Sequence, residues 1–135
     1  MDKRIHALLI GLVCLDTILV TWIVLFPDQW SLAFHGTPAD DPQRLMLRMG
    51  ANWAGFLLFQ CIAVLRWRRE PIWLLVVAGL RLSDIFTDAS HVFLCNDTTW
   101  FAWATLPLMG GLNLAMGLWL LHCGRERLVV RVGAS

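Results

Sequence analysis

Four apolar runs, each about as long as a bilayer's hydrocarbon core is thick once wound into a helix, constrain this chain more than any other feature. They cover roughly residues 7–26, 43–67, 72–95 and 98–122. About 20 residues at 1.5 Å rise cross such a core. Backbone polar groups in lipid must bond within their own segment, so each run is expected to be a helix. Short connections between four helices lead to antiparallel neighbours. The expected fold is therefore all-α: an integral membrane four-helix bundle, antiparallel, forming one domain over residues 1–135. Composition agrees, with 58% hydrophobic and 16% charged residues against roughly 45–50% and about 25% in soluble domains. Eleven basic residues balance ten acidic ones, which disfavours a nucleic-acid surface. The bilayer is the first expected partner.

The boundaries carry local signals. Residues 67–71, Trp-Arg-Arg-Glu-Pro, read as a tight polar turn. Asp41 can cap the second run, with Pro42 where a missing N–H costs nothing. Gly124 suits a helix stop after the fourth. Between the first two runs, Trp30, Ala33 and Phe34 share a helical face, the pattern of a short interfacial helix. The first run is longer than a signal-peptide core and no small-x-small site follows it, so it is read as a retained helix.

Orientation follows from the basic residues. Lys3, Arg4, Arg66, Arg68, Arg69, Arg125, Arg127 and Arg131 fall on one side, and only Arg44 and Arg48 on the other. The positive-inside rule places both termini in the cytoplasm. Arginine outnumbers lysine ten to one, which points to a bacterial inner (plasma) membrane. Trp22, Trp30, Trp100 and Trp103 would mark the outer interface, and Trp67, Trp73 and Trp119 the inner one, with Trp53 deeper. Cys14, Cys61, Cys95 and Cys123 show no paired spacing and read as small apolar residues. Arg44 reads as a snorkelling anchor, and His35 as a solvated loop residue.

The third run breaks the apolar pattern. Arg81, Asp84, Asp88 and His91 are spaced 3, 4 and 3 apart, one stripe of a helix. Each charge in lipid costs about 2.5–3.5 kcal/mol even on the lenient insertion scale, so the stripe must face the bundle interior. Arg81 and Asp16 each lie nine residues beyond the inner start of their run, hence at one level about 13 Å deep. They are the expected ion pair, with Asn113 and Gln60 as neutral partners. Counting from the outer side puts Asn52 beside Asp88, and Arg48 one turn further out beside His91. This column of three carboxylates and two guanidiniums carries one surplus negative charge, and one proton shared among Asp84, Asp88 and His91 would balance it. Pro107 and the following Gly110 and Gly111 predict a kink in the fourth run that opens a cavity. Gly111 with Ala115, and Ala51 with Gly55, are small-residue steps suited to close helix packing.

These residues suggest chemistry. Asp84 and Asp88 are the candidate acid and base, with His91 as relay and Arg81 orienting them. Asn52, Arg48, Trp53, Asp16 and Asn113 are the candidate substrate contacts. No cofactor is expected. The alternative is a divalent ion, Mg²⁺ or Mn²⁺, on Asp84, Asp88 and His91, because Asp88-x-x-His91 resembles the carboxylate-x-x-His step of bundle metal sites. The reading reached is a membrane-embedded enzyme or binding protein for a small hydrophobic or lipid-like molecule. The alternatives are a structural or assembly subunit of a larger membrane complex, or a proton-coupled transporter. A homo-oligomer fits any of these.

Overall fold

The computed structural model of the chain describes residues 2–40, 44–94 and 98–132, with side chains as far as Val130. Among the described residues the structure is helical, with no strand. The helices are α1 (Asp2–Leu25), α2 (Pro27–His35), α3 (Leu45–Arg66), α4 (Ile72–Leu94) and α5 (Trp100–Val132). Three of them, α1, α3 and α5, are long and apolar enough to cross a membrane, and the chain is a membrane protein on that ground. α4 has 23 residues but carries Arg81, Asp84 and Asp88. Asp41, Pro42 and Cys95 lie outside the described residues.

The local chemistry explains where the helices begin and end. Pro27 opens α2, and Gly36 closes it at φ 75°, a left-handed conformation that a side chain would strain. Thr99 caps α5: its Oγ1 accepts from the Ala102 N–H at 3.2 Å. The same hydroxyl donates to the Ala33 carbonyl, and the Thr99 N–H donates to the Phe34 carbonyl at 3.1 Å. One residue therefore both starts α5 and ties α2 across its end. After α3, residues 67–71 form the expected tight turn, with Arg66 and Glu70 paired at 3.5 Å.

Two helix pairs make up the body, α1 against α3 and α4 against α5. Asp16 meets Gln60 while Ile23 and Val24 meet Gly50, so α1 and α3 run antiparallel. Leu74 and Leu75 meet Gly124 while Leu82 meets Gly117, so α4 and α5 do too. The glycines set these approaches. A Cβ at Gly50 would sit 2.7 Å from Val24 Cγ2, one at Gly117 2.9 Å from Leu82 Cδ2, and one at Gly124 2.6 Å from Leu75 Cδ2. Gly110, Gly117 and Gly124 recur every seven residues, one stripe of α5 facing α4.

Two expectations fail here. Gly124 does not stop the last helix, which continues to Val132. Its missing side chain makes room for Leu74 and Leu75, and the following residues Arg125, Glu126, Arg127 and Leu128 are good helix formers. Asp2 and Arg127 pair across the ends of α1 and this extension. The small-residue steps Ala51–Gly55 and Gly111–Ala115 do not pack within the chain: neither Gly55 nor Gly111 has a described neighbour within 4 Å of an added Cβ. The tight crossings use the glycines on other faces.

The interior is layered. At one end Ile5, Leu9, Leu12, Ala63, Trp67, Leu74, Val77, Leu120 and Cys123 form an apolar core. At the other, Ile23, Trp30, Phe34 and Ala102 form a second core beneath α2. The polar residues lie between them.

Candidate functional site

The floor of the polar layer is an ion pair. Asp16 of α1 receives a charge-assisted hydrogen bond from Arg81 Nη2 of α4 and a second from Gln60 Nε2 of α3, at 2.5 Å. Arg81 also approaches Asp84 Oδ2 at 3.4 Å, one helical turn away. Arg81 is 3% and Asp16 8% exposed, so the pair belongs to the buried class, where loss of one partner leaves a costly lone charge. The expected Asp16–Arg81 pair forms, with Gln60 as its neutral partner, whereas Asn113, the other expected partner, lines the cavity above with its Oδ1 unpartnered among the described residues.

Above this floor the two helix pairs stand apart and enclose a cavity of about 300 Å³. Asp16, Arg81, Asp84, Asp88, His91, Asn113 and Trp53 all line it. The α4 stripe thus turns inward, as the cost of charge in lipid requires. Asn113 approaches from α5, 4% exposed. Four buried atoms on these residues have no hydrogen-bond partner among the described residues: Arg81 Nε, Asp88 Oδ2, His91 Nε2 and Asn113 Oδ1. Buried polar atoms are normally satisfied, and these four belong to residues that line this one cavity.

The walls and roof are aromatic. Trp30 and Phe34 of α2 stack at 4.5 Å, and Trp30 meets Trp22 at 5.1 Å and Trp53 at 5.4 Å, both nearly edge-on. Phe34 touches Phe101 at 5.5 Å and His91 at 6.2 Å. His35 lies 4.7 Å from His91, ring centre to ring centre. Edge-to-face contacts of this kind fix ring orientation and hold the walls upright.

Several expectations are corrected by this arrangement. Arg48 and Asn52 are exposed and do not line the cavity. α3 instead turns Met46, Met49, Trp53, Phe56, Gln60, Ala63 and Trp67 inward, a 3,4,3,4 repeat legible in the sequence. Burying that apolar stripe, with Trp53 against Trp30, outweighs burying two polar side chains one residue off it. Trp22 and Trp30, expected to face outward as interface anchors, line the cavity, and Trp67 is 1% exposed in the opposite core, beside the Arg127 guanidinium at 4.9 Å. Trp100 and Trp103 do face outward. His35 is half-buried at the cavity, not a solvated loop residue. Pro107 lies inside α5 without ending it, and Leu106 and Met109 beside it line the cavity. Arg44 is exposed at the start of α3, at φ 55°. Cys14, Cys61 and Cys123 are free thiols.

The arrangement offers two carboxyl groups on adjacent turns, an amide and an imidazole to one small volume. Proton exchange with a bound molecule and hydrogen bonding to it are within its reach. Among the described residues, no three His, Cys, Asp or Glu side chains are grouped as a metal site. No protein family, curated protein or solved structure matches the chain.

Proposed function

We propose that the protein is a four-span membrane bundle, α4 being the fourth span, that takes a small hydrophobic or lipid-like molecule into the cavity beneath α2. In this reading α2 lies at the outer interface and both termini are cytoplasmic in a bacterial inner membrane, in keeping with the arginine distribution. Asp84 and Asp88 exchange a proton with the bound molecule, Arg81 holds Asp84 in place from below, and His91 links Asp88 to the roof. The observation that carries the reading is that Asp84, Asp88, His91 and Asn113, from two helices, line one cavity otherwise walled largely by aromatic and aliphatic side chains. Ligand sites have this character: mostly apolar, with a few convergent polar groups.

Native mass spectrometry of the protein released from its own membrane tests this. The wild-type chain is expected to carry a small co-purifying molecule, and the Asp84→Asn/Asp88→Asn double variant, inserted and folded, to have lost it. Equal loading of both, or an empty wild-type chain, would refute the reading. One observation favours an assembly subunit as a second reading: the Gly55 and Gly111 faces are open on the outside of the helices, where a partner helix could approach closely. A stoichiometric protein partner in the same spectrum would support it.

A further inference from the structure

The charges that line the cavity do not balance. Asp16, Asp84 and Asp88 face one guanidinium, that of Arg81. With Arg48 outside, the surplus is two negative charges, one more than the sequence suggests. The Arg81–Asp16 pair neutralises itself at the floor, which leaves Asp84 and Asp88 as the excess. A single proton shared among Asp84, Asp88 and His91 removes one charge and leaves the other. The remaining deficit is one positive charge.

An inorganic cation is a poor candidate. Side-chain oxygens line the cavity at Asp16, Asp84, Thr87, Asp88, Thr105 and Asn113, but Asp16 is held by Arg81, and the aromatic and aliphatic remainder of the wall cannot complete a hard cation's oxygen shell. That wall instead presents Trp22, Trp30, Trp53 and Phe34 around the space above the carboxylates. Indole faces attract cations through the ring quadrupole, and weakly hydrated organic ammonium groups gain most from them. Asn113, 4% exposed, lines the same volume and adds a neutral polar side chain to it.

Resting on the ligand-binding reading above, we infer that the cavity takes an organic monocation, an apolar body bearing a protonated amine, seated between the aromatic roof and Asp88. The charge count and the aromatic walls both favour it over an anionic occupant. A cavity of about 300 Å³ lies at the small end of ligand sites, so the cation is compact.

The test uses three probes of nearly one shape on the full-length protein in nanodiscs, read by fluorescence of the cavity tryptophans. Benzyltrimethylammonium carries the charge, neopentylbenzene is its neutral isostere, and phenylmethanesulfonate is the anion. Saturable binding of the cation is expected, at least about tenfold tighter than of the neutral probe, with no saturable response to the sulfonate. In the Asp84→Asn/Asp88→Asn double variant, which removes both excess carboxylates, the preference for the cation is expected to disappear. Trp53→Leu, which removes one indole from the cavity wall, serves as the second variant and is expected to lower the preference severalfold. If the neutral isostere binds wild type as tightly as the cation, the charge inference falls and the ligand-binding reading stands. If the cation keeps its advantage in both variants, the inference also falls. If neither probe saturates, both readings fall together.

Discussion

Replacing Arg81 by methionine keeps most of the side-chain volume and removes the one cation of the polar layer. Asp16 then loses its guanidinium donor and keeps the Gln60 amide at 2.5 Å, and Asp84 loses the guanidinium at 3.4 Å. Both members of the pair are less than one-tenth exposed, so the relevant cost is that of stranding a buried charge, about 3–5 kcal/mol. It is not the ~0.6 kcal/mol of an average interhelical hydrogen bond in lipid. Asp16→Asn is milder, at about 1–2 kcal/mol, because Arg81 retains Asp84. The double variant removes the stranded charge and is expected to be more stable than the sum of the singles by roughly 1–3 kcal/mol. Unfolding by SDS in mixed micelles, followed by near-ultraviolet circular dichroism, measures all three. A cost for Arg81→Met below about 1 kcal/mol, or strict additivity, would mean that the pair is hydrated and the layered interior is wrong.

The glycines that set the helix crossings should be separable from those that do not. Gly117→Val and Gly124→Val, whose added atoms meet Leu82, Leu74 and Leu75 within 2.6–3.2 Å, are expected to cost about 1–3 kcal/mol each. Gly55→Ala and Gly111→Ala, with open space, are expected to be neutral or mildly stabilising in the same assay. Thr99→Ala removes the α5 cap and the tie to Ala33 together; a loss of about 1 kcal/mol should come with faster hydrogen exchange over residues 27–35, and unchanged exchange there would show that α2 is held otherwise.

Much of the site could be read from residue spacing alone. The stripe Arg81, Asp84, Asp88, His91 and the matched depths of Asp16 and Arg81 follow from helix geometry, and the cost of charge in lipid fixes which way they face. Helix α3 was less transparent. Arg48 and Asn52 share a face that suggests a polar column, but the adjacent face holds the heptad from Met46 to Trp67, and apolar burial decides the rotation. Trp30 and Gly124 misled for a common reason. Each has an ordinary role near a membrane boundary or a helix end, and each is used instead for a tertiary contact: Trp30 against Trp53, Gly124 against Leu74 and Leu75. Such contacts depend on which helices become neighbours, which local pattern does not encode.

The orientation of the α4 ridge is tested most directly by spin labels on single cysteines in a background with the native cysteines replaced by alanine. A label at position 86, where Phe86 is 78% exposed, should collide freely with oxygen dissolved in the acyl chains. Labels at positions 84 and 88 should be shielded from that oxygen and approached more readily by a water-soluble nickel chelate. Oxygen collisions at 84 and 88 as frequent as at 86 would turn the carboxylates toward lipid and remove the site.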